Sequence, residues 1–145
     1  MAFEKTKSAG FLANHMARLF ARHLQAAVAP LGLMPAQFMT LLELWEGDGL
    51  TQADLVARLD VEQATLANTL KRMERDGLIR RRPHPSDSRA QLIYLTPKAR
   101  DMEAPAKAAA QSINQVALAG LSKPDREALL RLMNEVVGAL RAGEA

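Results

Sequence analysis

The chain has 145 residues, of which 48% are hydrophobic and 24% charged, and its formal net charge is +3. These values are typical of one globular domain and exclude wholesale disorder, and the lack of cysteine excludes disulfide frameworks, zinc fingers and thiol redox switches. No apolar run is long enough to cross a membrane and no signal-peptide core follows the first residues, so we expect a soluble cytoplasmic protein.

The aliphatic composition, with only six aromatic residues, predicts a mainly helical chain. Apolar residues recur at helical spacing over about 8–29, and Pro30 and Gly32 end this first helix. A second helix begins with Pro35 in its first turn and stops before Gly47. The first third of the chain is therefore expected to form two helices.

Two further helices are predicted, separated by a tight turn. Thr51, with Asp54 three residues later, has the pattern of a capped helix start, and this short helix ends near Arg58. The next helix runs from about 62 to 76 and ends at Gly77, a residue type that favours helix termination. Two helices joined in this way have the dimensions of a helix-turn-helix.

A β-hairpin and two more helices follow. Strands rich in Ile, Leu and Tyr span 78–82 and 91–96. A helix over about 97–119 contains Pro105, which predicts a kink or the true start of that helix, and Ser122 caps a last helix. A helix-turn-helix followed by a hairpin is the winged-helix arrangement, so we predict a mainly α fold with a small β-hairpin.

The fourth helix carries an apolar seam and an opposite polar face. Leu66, Leu70 and Met73 lie within about 60° of one another on a helical wheel. On the other side, small and amide side chains come first and basic ones follow: Ala64, Thr65, Asn68, Lys71, Arg72 and Arg75. This profile is typical of a recognition helix, whose first residues reach base edges in the major groove. An amphipathic surface helix with a solvated face is the alternative.

Two neighbouring segments favour the nucleic-acid interpretation. The capped start of the third helix, with Gln52, offers donors to a phosphate group. Three consecutive arginines at 80–82 lead into the hairpin loop, whose tip carries Asp87 and Arg89; a short wing of this kind places one Arg in the narrow minor groove. Asp87 is expected to pair with Arg89 and to fix its direction, with an exposed ion pair of little energetic worth as the alternative.

Positive charge is concentrated in the same part of the chain. Residues 58–100 contain ten Lys or Arg against five Asp or Glu, whereas the remainder contains nine against eleven. A local excess of this kind is typical of a surface that faces a polyanion, although scattered surface Lys and Arg give the same count.

The segment from Val61 to Ile79, followed by Asp87-Ser-Arg89 and by Leu95-Thr96-Pro97, resembles the MarR family of bacterial winged-helix regulators, and most closely its SlyA-like members. An Asp-x-Arg wing tip followed by a strand that ends in Leu-Thr is the specific part of that signature. The resemblance is closest over 55–96 and extends more weakly over the whole chain.

The resemblance implies a transcriptional regulator that binds a palindromic operator in double-stranded DNA as an obligate homodimer. It places one domain over 1–145, with a winged-helix part at about 33–96 and dimerisation helices at about 8–29 and 97–142. The wide apolar stripes of the terminal helices agree with this, because a small winged helix is unable to cover them alone. A repressor that is relieved by a small aromatic or phenolic effector is the expected form of regulation.

By position, the resemblance assigns base contacts to the first half of the fourth helix, phosphate contacts to its second half and the minor groove to the wing. The expected DNA-binding set is Gln52, Gln63, Ala64, Thr65, Asn68, Arg72, Arg75, Asp87 and Arg89. SlyA-like relatives commonly have Arg at the position of Asn68. Asn favours adenine and Arg favours guanine, so a different operator preference is predicted.

An effector cleft lined by His15, Arg18, Phe38 and Trp45 is a further expectation, with Arg18 meeting a carboxylate. The alternative is that both aromatic residues belong to the core and that Arg18 lies at the surface. No cofactor and no metal site are expected, because His15 and His23 lie about 12 Å apart along one helix. No catalytic constellation is present either, so the remaining alternative function is a winged-helix module that binds protein or RNA.

Overall fold

The computed structural model of the protein describes residues 2–144, which form seven α-helices and one two-stranded antiparallel sheet. The elements are α1 (Ala9–Val28), α2 (Pro35–Glu46), α3 (Gln52–Leu59), α4 (Gln63–Arg75), β1 (Ile79–Pro83), β2 (Gln91–Leu95), α5 (Pro97–Asp101), α6 (Glu103–Ala117) and α7 (Lys123–Ala142). Short 3-10 turns at Lys5–Lys7 and Ala29–Leu31 flank α1. The predicted fold class, mainly helical with a small hairpin, is confirmed.

No single helix of the described residues is both long and apolar enough to span a bilayer. The segments Ala9–Leu31 and Pro35–Glu46 reach that length and apolarity only as a pair, and they are bent by 76° relative to each other.

The chain forms two compact units, one containing the residues up to Ala110 and the other those from Gln111 on. The first unit has a continuous apolar core, which includes residues of α2, α3, α4 and the hairpin. Its fully enclosed members are Val28, Leu33, Phe38, Leu41, Leu44, Leu55, Leu66, Leu70, Met73, Leu78, Ile79, Ile93, Leu95, Ala99 and Ala106. The predicted seam of α4 is part of this core.

The second unit contains α7, whose apolar side chains point to solvent in the isolated chain. Six of them are between 41 and 67% exposed: Leu130, Leu132, Met133, Val136, Val137 and Leu140. No described residue of α7 is buried. Apolar surface of this extent is typical of an interaction surface.

The hairpin pairs Ile79 with Leu95 and Pro83 with Gln91. A residue between α2 and α3 extends this sheet, because Ile93 donates its N–H to the carbonyl of Leu50 at 2.8 Å. Gly49, next to Leu50, has a φ of 79°, and an added Cβ would lie 3.2 Å from the ring of Tyr94. Glycine is therefore required where this loop passes over the hairpin.

The predicted helix over 97–119 is interrupted at Met102, so that α5 and α6 are separate. The hydroxyl of Thr96 caps α5 by accepting the N–H of Ala99 at 3.2 Å. Pro105 lies in the first turn of α6, where the lack of an N–H costs nothing. Of the two predicted effects of Pro105, marking the true start of a helix is therefore the one observed.

The end of α4 depends on a left-handed residue. Gly77 has a φ of 74°, and beyond it the N–H of Leu78 bonds to the carbonyl of Met73 at 2.9 Å. This is the bond that closes a Schellman motif, which confirms the predicted termination at Gly77.

We expect Gly77→Ala to lower the free energy of unfolding by about 1–2 kcal/mol, because alanine is strained at a positive φ. The matched control is Gly10→Ala in α1, where an added Cβ meets no atom within 4 Å. The control should be neutral or stabilising, by up to about 1 kcal/mol. Urea unfolding at one fixed protein concentration measures both changes, and equal effects of the two substitutions would contradict the interpretation.

Candidate nucleic-acid interface

The α4 side chains that the sequence assigns to DNA are exposed on one face of the helix. They are Gln63, Ala64, Thr65, Asn68, Arg72 and Arg75. Leu66, Leu70 and Met73 on the opposite face are no more than 2% exposed. The buried seam therefore fixes the rotation of α4 and presents the polar and basic residues outward.

The start of α3 is closed by a capping box. The Thr51 hydroxyl accepts the N–H of Asp54 at 3.1 Å, and the Asp54 carboxylate accepts the N–H of Thr51 at 2.9 Å. These hydrogen bonds with Thr51 hold the pKa of Asp54 below its usual value, with a smaller contribution from the charge of Arg58. The helix start therefore holds a carboxylate of its own, and the N–H groups of Gln52 and Ala53 lie outside this cap.

Side chains from other elements hold the end of α4. The buried Gln37 of α2 donates its side-chain N–H to the Asp76 carboxylate at 3.0 Å, and Lys98 donates to the Asp76 carbonyl at 2.8 Å. Arg75 also bonds to Asp76, with 3.0 Å between Nε and Oδ1. Hydrogen bonds from Arg75 and then from Gln37 lower the pKa of Asp76. Arg75 therefore already has a carboxylate partner, which the sequence analysis did not predict.

The expected pair at the wing tip is present. Asp87 Oδ1 accepts the backbone N–H of Arg89 at 3.0 Å and lies 3.4 Å from Arg89 Nε. The Arg89 side chain is 90% exposed. The wing thus presents a cation whose backbone is held in place and whose guanidinium points to solvent.

A cleft of about 680 Å³ joins the starts of α3 and α4 to the wing. Its lining residues are Thr51, Gln52, Ala53, Gln63, Arg81, His84, Asp87, Ser88, Arg89, Ala90 and Gln91. Four of the residues predicted from the sequence (Gln52, Gln63, Asp87 and Arg89) therefore come together here. Sequence reasoning missed Arg81 and His84 in this lining; Arg81 lies on β1, 3.5 Å from the Glu74 carboxylate. A second cleft of about 690 Å³ lies along β1 and is lined mainly by Arg80, Arg81, Arg82 and Lys98.

The four residues predicted to line an effector cleft lie in two different environments. Phe38 is buried and makes an edge-to-face contact with Trp45 at 6.1 Å, and the Trp45 indole N–H bonds to the Ala99 carbonyl at 3.0 Å. His15 and Arg18 lie on the exposed surface of α1. The structure therefore brings the two aromatic residues together, and none of the four lines either cleft described above. Residues 2–144 contain no group of three His, Asp or Glu side chains that could hold a metal ion.

Comparison with known proteins identifies relatives of this chain. The sequence model of the MarR family matches residues 33–90. The chain is 32% identical over 114 residues to the HTH-type transcriptional regulator TtmR of Methylorubrum extorquens (strain PA1), and the match covers 79% of this chain but only 57% of that regulator. It is 30% identical over 119 residues to the uncharacterized HTH-type transcriptional regulator YwoH of Bacillus subtilis (strain 168), covering 82% of this chain and 86% of YwoH. Both relatives are transcriptional regulators by name.

Solved structures share the fold. One of them is BpsR of Bordetella bronchiseptica, whose structure addresses the mechanism by which 6-hydroxynicotinic acid regulates its DNA binding. It has a TM-score of 0.86 at 23% identity, and the match covers 94% of this chain and 98% of that one. The DNA complex of MepR from S. aureus has a TM-score of 0.82 at 22% identity, covering 91% of this chain and 98% of that one. At these identities the likeness shows a common fold.

The low pKa of Asp76 predicts a pH-dependent contribution to stability. A carboxyl with a lowered pKa stabilises the fold above its unfolded value of about 3.9, and this contribution is lost as the pH falls through the lower folded value. We expect Asp76→Asn to reduce the free energy of unfolding at neutral pH by about 1 kcal/mol, and the difference from wild type to shrink as the pH falls below about 3.9. Urea unfolding from about pH 7 to about pH 2 measures this difference.

The matched control is Asp101→Asn, which changes an exposed carboxylate on α5. It should leave the free energy of unfolding within about 0.5 kcal/mol of wild type at each pH. A difference for Asp76→Asn that stays the same size in acid would contradict the electrostatic account.

Proposed function

Because the chain belongs to the MarR family of transcriptional regulators, we propose that it is a homodimer that binds a palindromic operator in double-stranded DNA and represses transcription until a small aromatic effector releases it. One observation carries this proposal: Gln63 at the start of α4 and the wing-tip residues Asp87 and Arg89 line the same cleft in one compact unit. A recognition helix and a minor-groove Arg must be held together in this way to read adjacent grooves.

The chemistry of the α4 face supports a division of roles along the helix. Gln63, Ala64, Thr65 and Asn68 are small or amide side chains at the N-terminal half, suited to base edges in the major groove. Arg72 follows toward the other end and is suited to a phosphate. Arg75 shares its charge with Asp76, so we expect its phosphate contact to contribute less than that of Arg72.

The apolar surface of α7 supports the homodimer. Its exposed residues from Leu130 to Leu140 form a stripe wide enough for a second helix. In the other unit, Leu12, Met16 and Leu19 of α1 are each at least 37% exposed. Two copies related by a two-fold axis bury the same stripe from both sides. That symmetry would set two α4 helices about one turn of DNA apart, which explains the expectation of a palindrome.

Regulation by an aromatic acid is supported by the fold shared with BpsR, whose DNA binding 6-hydroxynicotinic acid regulates. The indole N–H of Trp45 is already bonded to the Ala99 carbonyl, so an acid bound there would contact the ring of Trp45. Arg18 is proposed as the partner of the carboxylate from the sequence alone. An effector of this kind acts if it binds more tightly to a dimer whose α4 spacing no longer matches the operator.

The test is to sequence the DNA fragments that the purified protein retains at a stated salt concentration, with and without aromatic acids. We expect an inverted repeat whose half-sites are about one helical turn apart, and loss of the retained fragments when the effector is added. Equal retention of scrambled duplexes would contradict the proposal and favour the winged-helix module that binds protein or RNA.

The same selection on Asn68→Arg tests the assignment of base contacts. Asn pairs with adenine and Arg with guanine, so the preferred base at one position of each half-site should change, at a cost of about 1–3 kcal/mol for the original site. The matched control is Lys71→Arg, also on the exposed side of α4, which should select the wild-type site. Identical sites for wild type and Asn68→Arg would remove this residue from the set.

A charge within the apolar stripe of α7 should separate the dimer. We expect Met133→Lys to sediment at the 15.9 kDa of one chain and to bind the operator at least about 100-fold more weakly, because the second half-site no longer adds avidity. Ala142→Lys places the same charge on the other side of α7 and should remain dimeric. A wild-type chain that sediments as a monomer would overturn the homodimer.

A further inference from the structure

The wing tip is a closed loop held by several hydrogen bonds within residues 84–90. The N–H of His84 bonds to the Ala90 carbonyl at 3.2 Å, and the N–H of Ala90 bonds to the Asp87 carbonyl at 3.1 Å. These two bonds close the hairpin behind the tip. They leave the amides at the front of the loop to be satisfied by a side chain.

The side chain that fills this role is His84. Its ring atom Nδ1 lies 3.1 Å from the backbone nitrogen of Ser86 and 3.0 Å from that of Asp87, and both N–H groups donate to it. Pro83 and Pro85 flank His84 and have no N–H of their own. The half-buried imidazole is therefore the acceptor around which the front of the loop turns.

The loop continues from His84 to the exposed cation. The backbone of Asp87 is fixed by the imidazole, and the carboxylate of Asp87 in turn accepts the backbone N–H of Arg89. An exposed ion pair between Asp87 and Arg89 contributes little by itself, because both side chains lose freedom in forming it. A loop whose backbone is already ordered avoids that entropic cost when it binds.

We propose that His84 is the positioning residue of the wing: its neutral imidazole closes the tip and thereby aims Arg89 at the DNA. This inference rests on the proposed function for its consequence, but the closure of the tip is a property of the free protein. His84 acts through Asp87 and Arg89 and itself needs no contact with DNA.

The role requires one protonation state. A ring that accepts two N–H groups at Nδ1 carries its proton on Nε2, and a doubly protonated ring has no acceptor left.

The experiment compares His84→Asn with His84→Leu. The Asn side-chain oxygen takes the place of Nδ1 and accepts hydrogen bonds at every pH, whereas Leu fills space without an acceptor. At about pH 7.5 we expect His84→Leu to bind the selected operator about five- to tenfold more weakly, the size of one to two ordinary hydrogen bonds. His84→Asn should bind within about twofold of wild type, because its side-chain oxygen replaces the acceptor that Leu lacks.

The Arg89→Ala background separates positioning from stability. If His84 acts through Arg89, adding His84→Leu to Arg89→Ala should cause no further loss of affinity. A full additional loss in that background, or a His84→Asn variant that binds as weakly as His84→Leu, would overturn the positioning role.

Nitrogen NMR of the DNA-free protein gives a readout that does not depend on the operator. We expect the ring to carry its proton on Nε2, and the amide signals of Ser86 and Asp87 to shift strongly in His84→Leu and only slightly in His84→Asn. Amide signals that stay unchanged in His84→Leu, in a protein that selects an operator, would overturn the positioning role. Amide signals that shift in His84→Leu, in a protein that selects no operator, would overturn the proposed function alone.

Discussion

The orientation of α4 depends on the turn at Asp76 and Gly77, where three other parts of the chain meet it. Gln37 of α2 bonds to the Asp76 carboxylate, Lys98 of α5 to the Asp76 carbonyl, and the Thr96 hydroxyl donates to the Gly77 carbonyl at 2.6 Å. A buried amide and a helix-capping hydroxyl are costly to leave unpaired, so this turn has one favourable arrangement. This arrangement of the turn sets the direction in which the exposed face of α4 points.

The two compact units bury their apolar groups differently. The first unit encloses a continuous apolar core, although Leu12, Met16 and Leu19 of α1 remain partly exposed. In the second unit the large side chains of α7 remain in water. In the proposed homodimer, association would remove that surface from water, while the proposed DNA contacts lie on other elements, α4 and the wing.

Local physics explains why most of the fold was predictable. Caps at Thr51 and Ser122 and the left-handed Gly77 are decided within a few residues, and the sequence alone located each of them. The pairs that hold the site together link distant positions: Gln37 is 39 residues from Asp76 in the sequence, and no periodicity predicts their hydrogen bond. The role of His84 was missed for another reason, since a histidine between two prolines has no pattern that distinguishes a turn acceptor from a solvated side chain. Whether Phe38 and Trp45 belong to the core or to a cleft likewise depended on packing that the sequence does not contain.

The contacts between the hairpin and α5 suggest how binding of the proposed effector would change the position of the wing. Asp48 Oδ2 accepts both the backbone N–H of Leu95 in β2, at 2.9 Å, and a guanidinium N–H of Arg100 in α5, at 2.8 Å. Trp45 adds a bond from α2 to the Ala99 carbonyl of α5. α5 follows β2 after a single residue, and both elements are hydrogen-bonded to the Asp48 carboxylate. No flexible segment lies between them, so a displacement of α5 would also displace β2. A ligand that moves Trp45 would therefore alter the base of the wing and, through the paired strands, the position of Arg89.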